Sequence, residues 1–185
     1  IIADASQIDA VDPLRRRIIG AAGAAAGLGL AGAFIPALAQ GAKLKDGLML
    51  PFTGTFSQLG LAIANGFKLA VQEQGGRLGG REIEYVNMDD ESEPSKAVDR
   101  ATQLVDRDKV DAIIGTVHSG VQMGIVKVAR ETGVLNIIPN AGVEAATGEQ
   151  CAQNIFRTSF ANGQPAFPIG KLVADRGQKT AVTLS

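Results

Sequence analysis

The residues best suited to hold a small charged molecule lie in the short stretch His118, Ser119 and Gly120, directly after an apolar run that ends at Gly115. The apolar run predicts a buried strand, and apolar spacing over 119–132 predicts a helix. The first turn of a helix has unpaired N–H groups and favours negative charge, so this stretch indicates non-covalent capture of an anion. A purely structural role stays open, because Ser119 could instead cap the helix and contribute about 1 kcal/mol.

Further candidate residues follow two other predicted strands. Phe56 and Leu59 come after the apolar run that ends at Leu50, and a small-residue loop follows the strand 134–138. Parallel strands place their carboxyl ends at one edge of a sheet, where ligands bind. The predicted ligand-binding residues are Ser119, His118, Gly120, Asn140, Ala141, Gly142, Phe56 and Leu59. His118 could equally be a solvated loop residue, and Phe56 could simply pack over the first helix.

Strands and helices alternate along the chain from Lys43 onward. The predicted strands are 48–50, 83–88, 111–114, 134–138 and 180–184. The predicted helices are 58–74, one that starts at Ser92 and Pro94, 119–132 and 164–175. Such alternation predicts an α/β fold, in which helices cover both faces of a parallel sheet.

Composition excludes several classes of function. With 18 basic and 19 acidic residues the net charge is -1, which leaves no basic field for nucleic acid. A single cysteine, Cys151, and a single histidine, His118, argue against a metal cluster. No nucleophile elbow and no nucleotide-binding fingerprint is present, so we expect neither an enzyme nor a cofactor. The acidic stretch 89–91 with Glu93 is interpreted as solvated charge, or charge that complements the dipole of the following helix, rather than as catalytic carboxylates or a cation site.

The first 39 residues are typical of an export signal. Three arginines, 15–17, precede an Ala/Gly-rich apolar run, and the A-x-A pattern of residues 37–39 predicts cleavage after Ala39 and a periplasmic location. The order of arginines and isoleucines resembles a twin-arginine signal. An uncleaved membrane anchor is the alternative, because the apolar run approaches the roughly 20 residues that span a bilayer.

The end of the sequence predicts the start of a second lobe. Residues 40–155 form the first α/β lobe, and 156–185 form a hinge crossing followed by an incomplete second lobe. The strand that begins at Thr180 has no helix after it to cover it. We therefore expect the natural protein to continue beyond Ser185.

Several short stretches together resemble one known family. In order along the chain they are Leu50–Gly54, Gly75–Arg81, Asp89–Asp90 with Pro94, Asp108–Gly115, His118–Gly120 and Phe156–Ser159. This order is similar to that in the N-terminal part of type I periplasmic solute-binding proteins of ABC importers, in the branched-chain amino acid (Leu/Ile/Val) class. The resemblance covers nearly all of 43–185.

The resemblance implies a two-lobed binder that closes on its ligand by hinge bending. It implies that Ser119 and nearby backbone N–H groups catch a carboxylate, and that the loop at Asn140 faces the ligand's amino group. This sequence departs from the family pattern at two positions: Gly142 stands where relatives often have threonine, and Leu59 stands where some have tyrosine. The implied partners are an amino acid or related small carboxylate and a membrane permease, with the binder itself a monomer. A ligand-sensing module of a membrane receptor is the alternative function.

Overall fold

The computed structural model describes residues 42–180 and residue 182. The predicted export signal, 1–39, and nearly all of the predicted strand 180–184 lie outside the described residues. The described residues form six strands: β1 Leu44–Leu50, β2 Arg77–Leu78, β3 Arg81–Asp89, β4 Ala112–Ile114, β5 Leu135–Ile138 and β6 Ile155–Arg157. The α-helices are α1 Ser57–Glu73, α2 Ala97–Thr102, α3 Ser119–Thr132 and α4 Gly163–Asp175.

The strands form one sheet in the order β2, β3, β1, β4, β5, β6. All neighbours from β3 to β6 pair in parallel, and β2 pairs antiparallel with β3 across a tight turn. That turn is Gly79–Gly80, where both residues have positive φ, as a two-residue hairpin favours. The predicted parallel sheet with helices on both faces is confirmed.

Helices α2 and α3 cover one face of the sheet. Met49, Ile113 and Ile138 on the strands pack with Val121 and Ile125 of α3 into one buried cluster. The two helices approach closely at Gly124, where an added Cβ would lie 2.5 Å from the Cβ of Ala97. Helix α3 ends at Gly133, whose left-handed backbone is the usual stop for a helix.

Helix α1 covers the other face over β1 and its neighbours. Leu48, Leu50 and Ile114 are buried there with Ala64 of α1, and Phe67 packs against them. The apolar period of α1 therefore faces the sheet as its sequence predicts. Within the described residues, no helix combines the length and the apolar character needed to cross a bilayer.

The predicted helix start includes Pro94 correctly, but its cap at Ser92 is wrong by one residue. The helical region begins at Pro94 with a 3-10 turn through Lys96, and Glu93 occupies the cap position. Ser92 has a positive φ and its hydroxyl is buried without a partner. The reason is local, because the side chain of Asp90 accepts a hydrogen bond from the Ser92 N–H and holds the chain in a turn.

Candidate ligand-binding site

The loop after β4 presents His118, Ser119 and Gly120 at the carboxyl end of the sheet. His118, not Ser119, is the cap of α3: its Nδ1 accepts hydrogen bonds from the N–H groups of Gly120, at 3.0 Å, and Val121, at 3.4 Å. The capping role that the sequence suggested for Ser119 therefore belongs to His118. The N–H of Gly120, expected to be free for an anion, instead points at the imidazole.

The loop after β5 is tied directly to the loop after β4. The N–H of Ala141 donates to the carbonyl of Thr116 at 3.0 Å. Ala141 and Gly142 are buried, and Asn140 is partly exposed. Only backbone groups of Ala141 and Gly142 can therefore contribute polar contacts, because neither residue carries a polar side chain. The parallel sheet brings these two predicted loops together.

Asn162, which sequence reasoning missed, joins both loops. Its N–H donates to the carbonyl of Gly142 at 2.8 Å, and its Nδ2 donates to the hydroxyl oxygen of Ser119 at 3.3 Å. An added Cβ at Gly142 would lie 2.2 Å from Asn162 Oδ1, so these residues occupy adjoining space. An asparagine before a helix suggests only a local cap. Contact with a residue 43 positions earlier leaves no signal in the sequence.

Phe56 and Leu59 lie where β1 leads into α1. The ring centroid of Phe56 is 6.1 Å from that of His118, which places an aromatic side chain beside the capped end of α3. Phe56 is 38% exposed and Leu59 is 41% exposed. Phe56 thus does not bury itself over α1, and both apolar side chains are open to solvent at this edge.

Asp89 fixes the loop that carries Phe56. One carboxylate oxygen accepts from the N–H groups of Phe52 and Thr53, and the other accepts from the Thr53 hydroxyl at 2.6 Å. Burial opposes ionisation, but the bonds from Thr53 and the backbone outweigh it and lower the pKa of Asp89. Asp89 therefore stays charged and holds the loop in place.

A fully buried polar chain anchors the start of the loop after β4. Asp90 accepts a hydrogen bond from the Thr116 hydroxyl, and the N–H of Thr116 donates to Gln122 Oε1 at 3.0 Å. Gln122 Nε2 in turn donates to Asn136 Oδ1 at 2.7 Å. Asn136 completes the chain by donating to the carbonyl of Ile113 at 3.1 Å. Burial raises the pKa of Asp90 despite the bond from Thr116. The interpretation of 89–91 as solvated charge is thus wrong for Asp90, which is 1% exposed.

These contacts define a carboxyl edge formed by the loops 52–56, 116–120 and 140–142 and the crossing segment 158–162. Ser159 contributes a second tie from that segment, donating its hydroxyl to the carbonyl of Asn140 at 3.2 Å. The edge presents a hydroxyl, an amide and exposed apolar side chains. Such a combination suits a small molecule with one polar end and one apolar end.

Comparison with known proteins identifies the family. The family model described as periplasmic binding protein matches residues 43–185. The chain belongs to the periplasmic binding protein family, as its short stretches and parallel sheet predict.

Relatives within this family differ in the ligand that their names state. The Leu/Ile/Val-binding protein BraC3 of Rhizobium johnstonii is 33% identical over 135 residues, which is 71% of this chain and 36% of that protein. An ABC transporter solute-binding protein from R. palustris, solved in complex with benzoate, is 52% identical with a TM-score of 0.70, covering 74% of this chain and 38% of that one.

A second solute-binding protein, from Rhodopseudomonas palustris BisB5, was solved in complex with 3,4-dihydroxy benzoic acid. It is 31% identical with a TM-score of 0.66, over 73% of this chain and 37% of that one. The chain therefore spans roughly a third of the length of the relatives that it matches.

Proposed function

We propose that this chain forms the first lobe of the solute-binding component of an ABC importer and holds a small carboxylate at its carboxyl edge. The protein binds without covalent chemistry and delivers its ligand to a membrane permease from the periplasm. Family membership and the ABC-transporter relatives support this role.

The hydroxyl of Ser119 is the observation that carries the proposal. It stands at the first residue of α3 and is not used to cap that helix, because His118 is the cap. The helix dipole favours an anion at this end, and a serine hydroxyl can donate to a carboxylate oxygen. The amide of Asn162 lies beside it.

A carboxylate is the group common to the ligands in the names of the relatives. Leucine, isoleucine and valine carry one, as do benzoate and 3,4-dihydroxybenzoate. The exposed Phe56 and Leu59 at the same edge would contact the apolar part of any of them. In the complete protein the second lobe would close over this edge through the crossing segment at 158–162, by a hinge motion.

Thermal unfolding of the complete two-lobed protein tests the proposal. Benzoate, 3,4-dihydroxybenzoate and leucine are added one at a time, because a ligand that binds only the folded state raises the unfolding temperature. We expect at least one of these carboxylates to raise it and benzamide, which lacks the charge, to leave it unchanged. A folded protein whose unfolding temperature responds to none of them contradicts the proposal.

Replacement of Ser119 by alanine checks the site itself. Loss of a hydrogen bond to a charged group costs about 1.5 to 3 kcal/mol, so we expect the Kd for the carboxylate to rise by about tenfold or more. Thr132→Ala is the control, because it removes the hydroxyl of an exposed residue at the opposite end of α3. Titration calorimetry on both variants measures the difference, and equal affinities would remove Ser119 from the site.

A further inference from the structure

We propose that Asn162 is a site of spontaneous deamidation, and that its conversion to aspartate or isoaspartate places a negative charge beside Ser119 and weakens the binding of a carboxylate. The effect on the ligand rests on the proposed function, whereas the chemical step does not. Asparagine is one of the labile residues of proteins. How fast it reacts depends on the residue that follows it and on the freedom of the local backbone.

The residue after Asn162 is Gly163, and an asparagine followed by glycine is the pair most prone to this reaction. The reaction begins when the backbone nitrogen of the following residue attacks the side-chain carbonyl carbon of asparagine. Glycine hinders this attack least, because it has no Cβ and its backbone reaches many conformations. The chain contains a second such pair, Asn65 and Gly66, which lies inside α1.

The two pairs differ in how firmly their helices are held. The pair in α1 lies in the interior of a helix that packs on the sheet through buried residues such as Ala64. Asn162 also has helical backbone angles, φ -56° and ψ -35°, and these must relax before the nitrogen can reach the side chain. It stands at the start of α4, which buries none of its residues. An unpacked helix of this length is marginal, so the backbone at Asn162 opens more readily than that at Asn65.

Glu144 supplies an acceptor for the proton that the attacking nitrogen loses. The N–H of Gly163 donates to Glu144 Oε1. As this nitrogen bonds to Cγ of Asn162, its proton passes to the carboxylate of Glu144 and then to the departing Nδ2, which leaves as ammonia. Water opens the resulting cyclic imide at either carbonyl and gives aspartate or isoaspartate. The overall change is the addition of one water and the loss of one ammonia.

Conversion of Asn162 would alter the carboxyl edge where the ligand is proposed to bind. The lost Nδ2 is the atom that donates to Ser119 Oγ at 3.3 Å. A carboxylate in its place only accepts, so the Ser119 hydroxyl would turn its hydrogen toward residue 162 and away from a ligand. Asp89 already lies at this edge, but its charge is met by the N–H groups of Phe52 and Thr53. A further carboxylate beside Ser119 would repel a carboxylate ligand.

Peptide mapping of the complete protein by mass spectrometry tests the chemical step. The protein is incubated in mildly alkaline buffer, which favours loss of the backbone amide proton, and conversion at each asparagine is followed with time. We expect conversion at Asn162 to be at least about tenfold faster than at Asn65, because the two pairs share their chemistry and differ in local opening. Glu144→Gln keeps an acceptor oxygen but removes the base, so it should slow conversion at Asn162 severalfold and leave Asn65 unchanged.

Gly163→Ala separates the modification from its effect on the ligand. A Cβ at this position would meet only Glu144 Oε1, at 3.1 Å, the end of a flexible side chain, so alanine fits and hinders the attack. Calorimetric titration with benzoate and with leucine should give the fresh variant the wild-type Kd. After incubation the fraction of wild-type protein that binds should fall in step with conversion at Asn162, whereas Gly163→Ala should keep its binding. Gly66→Ala, the matched change in the other pair, should lose binding as the wild type does.

Asn162→Asp, made directly, should raise the Kd by about tenfold or more. Equal rates at Asn162 and Asn65 would overturn the inference, as would converted protein with unchanged affinity, and in both cases the proposed function stands. An unchanged rate in Glu144→Gln would overturn the role of Glu144 in the proton transfer. Fresh protein that binds neither benzoate nor leucine would contradict the effect on the ligand, while the peptide map still decides the chemical step.

Discussion

The two faces of the sheet differ in how completely the helices of this chain cover them. On the face under α2 and α3, apolar residues from four strands and two helices form one buried cluster. On the face under α1, the buried cluster is small, and Phe156 of β6 is 53% exposed. Asp46 of β1 also lies on that face, buried, with one carboxylate oxygen that has no hydrogen-bond partner.

This difference indicates which face stabilises the lobe. A buried apolar side chain contributes roughly 1.5 to 3 kcal/mol, whereas a half-exposed one contributes much less. The face under α3 also carries the polar chain from Asp90 to Asn136 that holds the binding loop. The apolar side chains that stabilise the fold and the polar side chains that hold the binding loop therefore lie on the same face of the sheet.

The largest expected effect comes from Ile125→Ala, at the centre of the α3 cluster. Ile125 is fully buried, so the change leaves a cavity and should lower the free energy of unfolding by about 4 kcal/mol. Phe156→Ala removes more atoms from the other face but should cost less than about 1 kcal/mol, because that ring is half in water. Urea unfolding followed by circular dichroism compares them, and equal losses would show that the faces contribute alike.

A somewhat smaller effect is expected from Gln122→Leu, which breaks the polar chain on the α3 face. Leucine would leave the N–H of Thr116 and the Oδ1 atom of Asn136 without partners in a dry interior, at a cost of about 3 kcal/mol. Gln103→Leu serves as the control, since Gln103 is exposed. The same urea experiment measures both variants. A Gln122→Leu variant as stable as the wild type would show that the buried hydrogen bonds from Asp90 to Asn136 do not contribute to stability.

Asp46→Asn should raise the free energy of unfolding, by an amount that depends on pH. Burial, reinforced by the charge of Asp111, raises the pKa of Asp46 to about 6. The folded state thus holds a proton that the unfolded state releases near pH 4, so stability falls as the pH rises from about 4 to about 6 and stays lower above that range. Asparagine avoids this loss.

The expected gain for Asp46→Asn is about 3 kcal/mol at pH 8, and close to zero at pH 4. Urea midpoints at the two pH values check the sign. A gain of the same size at both would show that the effect comes from packing and not from the charge.

The sequence predicted β1, β4 and β5 well because they are short apolar runs closed by glycine or proline, whereas β6, which has no such pattern, was expected only within a crossing segment. Helix α3 begins and ends where its apolar spacing and Gly133 indicate. The start of α2 was wrong because an Asp90 side chain, and not the usual cap residue, controls the turn. Such competition, in which a side chain takes a backbone hydrogen bond that would otherwise belong to a helix, is hard to recognise from sequence alone.

The site was predicted less completely. Ser119 and the loop at Asn140 follow from the rule that loops meet at the carboxyl ends of parallel strands. The roles of His118 as a cap and of Asn162 as a bridge depend on contacts between side chains, and one of these spans 43 residues. No periodicity or composition encodes contacts of that kind.

Helix α4 has a further consequence for the kinetics of backbone exchange. It buries none of its residues, exposes Phe167, Ile169 and Leu172, and contains Pro168, which has no N–H to donate. Without tertiary packing a helix of this length is marginal, so its amide hydrogens should exchange with deuterium far faster than those of α3, which open only with the core. Slower exchange in α4 than this would therefore show that another part of the protein packs on its exposed apolar side chains.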